Sequence, residues 1–185
     1  MSAVIVVLAL SSCLGPPGPH PAATVSSTAP GGSVQPLIRE PRSLDIGSEP
    51  CRSLFSEKQV SALRLLTPAM AVSILENLPT CRWEGKAPRR SVIVTFVYRR
   101  NTLPDALRSG ILPYTKIQEI SGLPVFDQQT SPASSSCTMT VGVSKNQSVV
   151  ITLNVEDMAN DRPVANACEE GHRVVEEVAA SLPRL

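Results

Sequence analysis

Thiol and imidazole side chains are the groups in this 185-residue chain with the widest chemical range. The sequence holds five cysteines and two histidines. A cysteine can carry a covalent lipid, form a disulfide or bind a metal as the thiolate, and a histidine can act as a general base or a metal ligand. Which of these applies depends on the residues around each side chain and on the spacing between them.

Cys13 follows a short apolar run, Ala3–Leu10, and two serines. The run is too short to span a bilayer, but it fits the apolar region of an export signal. Leu10–Cys13 (Leu-Ser-Ser-Cys) resembles the lipobox of bacterial lipoproteins, which implies that Cys13 receives a diacylglyceryl group and becomes the N-terminus after cleavage. The alternatives are an ordinary secretory signal with an incidental cysteine, or a buried apolar strand. Met1–Ala3 lacks the usual positive charge of a signal, so we expect the start codon upstream.

The other four cysteines form an even set, which in an exported chain indicates two disulfides. They are Cys51, Cys81, Cys137 and Cys168. Three pairings are possible. We favour Cys51 with Cys81 and Cys137 with Cys168, because each bond then closes a loop of about 30 residues and stabilises by roughly 3 to 4 kcal/mol. A structural zinc site is the alternative, but no pair has C-x-x-C spacing, and no metal ligand set is predicted.

Catalytic residues are not indicated. His172 lies between Glu169 and Glu176 at helical spacing, which favours a solvated charge pair over a general base. Carboxylates could converge in three dimensions as an acid and base pair, and the candidates are Asp105, Glu119 and Asp127. Their spacing in the sequence does not suggest that they do. No glycine loop for phosphate, dinucleotide fingerprint or metalloprotease motif occurs, so we expect no enzyme activity and no cofactor.

The charge balance argues against a nucleic-acid partner. Charged residues make up 18% of the chain and the formal net charge is +1, whereas a nucleic-acid-binding domain is usually strongly basic. Basic residues nevertheless cluster in one stretch: Arg82, Lys86, Arg89, Arg90, Arg99, Arg100 and Arg108. This stretch predicts either a basic face for anionic lipids or wall polymers, or ordinary solvated charge at strand ends.

Composition divides the chain into three parts. Residues 1–12 are the predicted signal peptide, residues 13–44 a lipidated tether rich in Pro, Gly and Ser, and residues 45–185 the folded domain. Asn146-Gln147-Ser148 matches a glycosylation acceptor, but a turn is the simpler interpretation.

Periodicity predicts helices and strands in the domain. Ser56-Glu57-Lys58-Gln59 is a capping box that begins a helix with an apolar stripe at Val60, Leu63 and Leu66. The predicted strands are Thr80–Glu84, Ser91–Tyr98, Lys116–Ile120 and Leu123–Phe126, followed by a hairpin of Cys137–Val143 and Ser148–Val155. The other predicted helices are Leu103–Ser109 and one from near Pro163, with its buried stripe at Val164, Cys168, Gly171, Val175, Val178 and Leu182. The sum is an α+β domain with helices packed on an antiparallel sheet.

Several short motifs occur in a recognisable order. They are Asp45 with Pro50-Cys51, Cys81-Arg82-Trp83, Gly122-Leu123-Pro124, Cys137 in an alternating strand, and Cys168 opening an Ala- and Val-rich helix. From Asp45 to Leu182, and in its lipobox, the chain resembles an actinobacterial lipoprotein family of unknown function. That family is similar to mycobacterial Lpq-type lipoproteins and to the extracellular sensor domain of a mycobacterial receptor kinase, which implies a PsbP-like sheet flanked by helices. The resemblance transfers no catalytic residues.

These features together predict a lipoprotein held on the extracytoplasmic face of the cell membrane by its lipid anchor. The expected function is non-enzymatic binding of an envelope lipid, a wall polymer or a protein partner. A structural lipoprotein that scaffolds another envelope protein is the alternative, and a cell-wall hydrolase is the third. An apolar cavity would favour binding, whereas a large flat apolar patch would favour scaffolding.

Overall fold

The computed structural model describes residues 38–72, 78–85, 89–109, 112–156 and 166–185, which all belong to one unit, Gln35–Leu185. Within them, seven strands are β1 (Met70–Ala71), β2 (Thr80–Glu84), β3 (Arg89–Val97), β4 (Tyr114–Ile120), β5 (Leu123–Gln129), β6 (Ser136–Ser144) and β7 (Gln147–Glu156). Four helices are α1 (Pro50–Ser53), α2 (Glu57–Ala62), α3 (Leu103–Ser109) and α4 (Ala167–Ser181). The strands form one antiparallel sheet in the order β1-β2-β3-β7-β6-β5-β4. The predicted α+β class is confirmed.

One face of the sheet carries the aliphatic core. Alternation in β6 and β7 places Met139 opposite Ile151 and Val141 opposite Val149, and all four side chains are fully buried. Helix α4 packs on this face, and α2 lies beside it, because the Gln59 side-chain amide donates to the Glu177 carbonyl at 3.2 Å. On the opposite face, α3 contacts β5 and β6. Helices therefore flank the sheet on both sides.

Both predicted disulfide pairings are confirmed. Cys51 is bonded to Cys81 and Cys137 to Cys168, with sequence separations of 30 and 31 residues. The second bond joins α4 to β6, as its place on the predicted apolar stripe indicated. All four thiols are used in these bonds, so the zinc alternative is excluded.

Most predicted elements are confirmed by the structure, and the capping box at Ser56 is formed as expected. Leu66 was wrongly placed on the stripe of α2, because the helix ends at Ala62 and Arg64 turns the chain with φ +54°. Leu66 is consequently exposed and Leu65 is buried instead. Asn146 lies in the turn between β6 and β7, while Pro163 and Val164 lie outside the described residues.

The fold begins earlier than the predicted boundary at residue 45. Leu44 is fully buried, the Arg42 amide donates to the Val143 carbonyl at 2.9 Å, and the Ser43 amide donates to the Pro183 carbonyl at 2.8 Å. Composition alone assigned this segment to the tether, because it has no periodic apolar pattern. The predicted signal peptide, Cys13 and the tether as far as residue 37 lie outside the described residues.

Candidate functional site

His172 is paired with Asp127, and the predicted charge pair with Glu169 and Glu176 is wrong. The His172 Nε2 atom lies 2.8 Å from Asp127 Oδ2, and the Gln118 side-chain amide donates to the same oxygen at 2.7 Å. The Asp127 side chain is 6% exposed and that of His172 21%. Since α4 turns this histidine toward the sheet, its partner comes from β5.

This pair lines a polar pocket of about 270 Å³. A histidine oriented by a buried carboxylate is one part of a general base, but nucleophilic catalysis also needs a hydroxyl or thiol within reach. In the described parts of the chain, the hydrogen-bond partners of His172 are Asp127 and Gln118. The neighbouring Cys168 thiol is used in a disulfide. Among the described residues, this pair joins α4 to the sheet, and no hydroxyl or thiol is hydrogen-bonded to His172.

The three candidate carboxylates do not converge. Asp105 forms ion pairs with Arg100 and Arg108, and Glu119 lies 3.2 Å from Arg39. Asp127 is the only one of the three that is paired with His172. Each of the three carboxylates is therefore engaged by a different partner.

Four of the seven basic residues of this stretch lie against carboxylates. Arg82 lies 2.6 Å from Glu84, and Arg100 and Arg108 share Asp105. Lys86 and the side chain of Arg89 lie outside the described part of the structure. The described pairs favour solvated charge at strand ends over a continuous basic face.

A groove of about 770 Å³ lies at the edge of the sheet. Pro50 begins α1 as its first residue, and the Cys51–Cys81 bond holds this helix against β2. β1 pairs with β2 with Ala71 opposite Cys81, so α1, β1 and the start of β2 surround the groove. Val72 and Leu78 line it on either side of residues 73–77, which are outside the described residues.

Most of the groove lining is apolar: Pro50, Cys51, Ala69, Ala71, Val72, Leu78 and Pro79. Three of its four polar lining residues are already hydrogen-bonded or paired. The Thr80 hydroxyl contacts the Thr95 hydroxyl at 3.1 Å, and Arg52 lies 3.0 Å from Glu49. The groove therefore offers apolar surface together with one exposed ion pair, the combination typical of small-molecule sites of roughly 300 to 1,000 Å³.

Sequence reasoning did not identify this groove. Its residues come from three separate segments, Ser48–Arg52, Ala69–Val72 and Leu78–Thr80, and the Cys51–Cys81 bond brings them together. The favoured disulfide was the one available signal, because it predicted that α1 and β2 are adjacent.

Two further properties concern only the described residues. None of their helices is long and apolar enough to cross a membrane. Among the same residues, no group of three or more His, Cys, Asp or Glu side chains could hold a metal ion.

A family described as "Protein of unknown function (DUF3558)" matches residues 8–181. The match covers Cys13, all four disulfide cysteines and the groove. No curated protein and no solved structure matches the chain.

Proposed function

Since the chain belongs to the DUF3558 family of proteins of unknown function, we propose a function from its geometry: a membrane-anchored extracytoplasmic lipoprotein that binds an apolar envelope ligand without catalysis. The groove beside the Cys51–Cys81 bond is the observation that carries the proposal. The ligand class is an acyl chain or a similarly apolar small molecule.

The anchor is proposed from the first residues. Leu10–Cys13 has the form of a lipobox, and the four remaining cysteines form disulfides, which persist in oxidising, extracytoplasmic compartments. Cys13 would then carry the lipid, and the segment that follows it would act as a tether above the membrane. The order of the short motifs resembles that of actinobacterial and mycobacterial envelope lipoproteins, and we propose that this chain is related to them.

The apolar lining supports the ligand class. Burial of apolar surface stabilises by roughly 25 cal/mol per Å², and this favours a ligand that presents methylene groups rather than charge. Scaffolding would be favoured by one large flat apolar patch. Of the exposed large apolar side chains among the described residues, Met70 lies on β1, and Tyr114 and Ile117 lie on β4 at the opposite edge of the sheet.

Filling the groove tests the binding function. Ala71 is exposed and lines the groove, so Ala71→Trp should occupy it without disturbing the core. The probe is N-phenyl-1-naphthylamine, an uncharged dye whose fluorescence rises in apolar sites, titrated into the full chain carrying Cys13→Ser so that no anchor lipid competes. We expect saturable binding by this protein and at least a tenfold weaker affinity after Ala71→Trp.

The matched control is Ala180→Trp, which adds the same side chain at an exposed position of α4. It should bind the dye as the parent protein does. Absence of saturable binding by the parent, or equal binding by the Ala71→Trp and Ala180→Trp variants, would contradict a ligand site in the groove.

Intact mass tests the anchor independently. The protein recovered from the native membrane fraction should begin at Cys13 and carry a diacylated adduct, and its four other cysteines should react with an alkylating reagent only after reduction. An unprocessed chain in the cytosolic fraction with freely reactive thiols would overturn the lipoprotein assignment.

A further inference from the structure

Three arginines from different elements meet in a second, smaller pocket. Arg64 follows α2, Arg90 lies in β3 and Arg173 lies in α4, together with Glu170. The volume is about 120 Å³, close to the liquid volume of about four waters. This pocket shares no lining residue with the groove, so its chemistry is independent of the proposed function.

Arg90 is the buried member of the set. Its side chain is 9% exposed, and its Nη2 atom lies 3.5 Å from Glu170 Oε2. Within the described residues, its Nε–H has no hydrogen-bond acceptor. A buried guanidinium with an unpaired donor is costly, and an anion in the adjoining pocket would offset that cost through its charge. Burial lowers the pKa of Arg90, and the positive charges of Arg64 and Arg173 lower it further, against the opposing effect of Glu170.

Gly85 leaves room for the Arg90 side chain. The Gly85 amide donates to the Arg90 carbonyl at 2.7 Å, and a Cβ atom at Gly85 would lie 2.6 Å from Arg90 Cδ. No larger residue fits there without displacing the arginine. Glycine at position 85 therefore leaves the space that the aliphatic part of the Arg90 side chain occupies beside the pocket.

Arg64 occupies a position at which glycine is normally preferred. The Leu65 amide donates to the Val60 carbonyl at 2.9 Å and the Arg64 amide to the Ser61 carbonyl at 3.0 Å, which is the Schellman arrangement at a helix end. Arg64 adopts the left-handed conformation that this arrangement requires, with φ +54°. This conformation is unfavourable for a side chain with a Cβ atom, and it places a guanidinium at the pocket.

We propose that this pocket binds a phosphate-class oxyanion. Three arginines and one carboxylate line the pocket, and Glu170 pairs with Arg90 and Arg173, so the pocket carries excess positive charge. Planar guanidinium forks match the oxygen spacing of phosphate. The small volume suits one tetrahedral anion. Its source is either free phosphate or the headgroup of a phospholipid.

Calorimetric titration with inorganic phosphate, at an ionic strength held constant with KCl, tests the site in the full chain. We expect saturable binding, which Arg64→Gly weakens about tenfold without lowering the thermal unfolding midpoint, because glycine suits the left-handed position. Glu170→Gln should tighten binding, because it removes the like charge nearest the anion. Arg99→Gln is the matched control, since Arg99 is exposed and does not line the pocket, and it should leave the affinity unchanged.

Absence of saturable binding to the unmodified chain would overturn the proposal, as would equal losses in the Arg64→Gly and Arg99→Gln variants. Co-sedimentation of the Cys13→Ser chain with phosphatidylcholine vesicles, with and without phosphatidic acid, distinguishes the two sources. Sedimentation that depends on phosphatidic acid and on Arg64 supports a lipid headgroup. Phosphate binding without such sedimentation supports the free anion.

Discussion

Replacing Gly171 by alanine should show how closely α4 lies against the sheet. A Cβ atom at this position would lie 2.7 Å from Met139 Sδ, and Met139 is fully buried in β6. No real side chain tolerates so short a contact, so the methionine must adopt another rotamer inside a close-packed core. The same region is held by the Cys137–Cys168 bond, which prevents the helix from moving away easily.

The magnitude is the difference between two opposing effects. Alanine is favoured over glycine in a helix interior by about 1 kcal/mol, whereas overpacking a core costs about 1 to 3 kcal/mol. We therefore expect Gly171→Ala to lower the free energy of unfolding by about 1 kcal/mol. For a domain of this size, that corresponds to a fall of about 2 to 4 °C in the melting temperature.

A double-mutant cycle in urea identifies the cause. Met139→Val removes the sulfur and methyl that the new Cβ would meet, and it should itself cost about 1 to 2 kcal/mol through the cavity it leaves. In that background, Gly171→Ala should stabilise the protein, because the propensity gain remains and the clash is gone. If Gly171→Ala destabilises equally in both backgrounds, contact with Met139 is not what requires glycine here.

Two further predictions concern stability in the same urea assay. Replacing both Cys137 and Cys168 by serine should lower the free energy of unfolding by about 3 to 4 kcal/mol, because the bond closes a 31-residue loop. A decrease of less than about 1 kcal/mol would mean that this part of the unfolded chain is already compact without the bond. Ser56→Ala should cost about 1 kcal/mol through loss of the capping box, with Ser53→Ala, at an exposed position, as the control that leaves stability unchanged.

Elements with strong local signals were predicted correctly. The capping box at Ser56, the alternating pattern of β6 and β7, and the apolar stripe of α4 each depend on residues close together in the chain. The favoured disulfide pairing, one of three possible, was also correct; it was favoured because each bond closes a loop of about 30 residues and stabilises by roughly 3 to 4 kcal/mol. The start of the fold was missed, since Leu44 is a single buried side chain without a repeating pattern.

The partners of charged side chains could not be predicted in this way. His172 and Asp127 are 45 residues apart, and the Glu169 and Glu176 neighbours that the helical spacing favoured are not its partners. Helical spacing predicts which residues share a face of the helix. The neighbours that this face contacts depend on how the helix packs on the core. Here the buried face of α4 packs on the sheet in an orientation that directs His172 toward β5. Its partner is therefore Asp127, a residue of that strand.

The sequence by itself indicated the candidate anchor at Cys13 and the fold class, and it favoured one of three pairings of the remaining cysteines, because each depends on short motifs, periodicity or loop length. Only the tertiary structure decided where ligands could bind. The groove and the arginine pocket are each assembled from segments that are far apart in the chain. Their volume and charge arise from the packing of helices on the sheet, which no local pattern specifies.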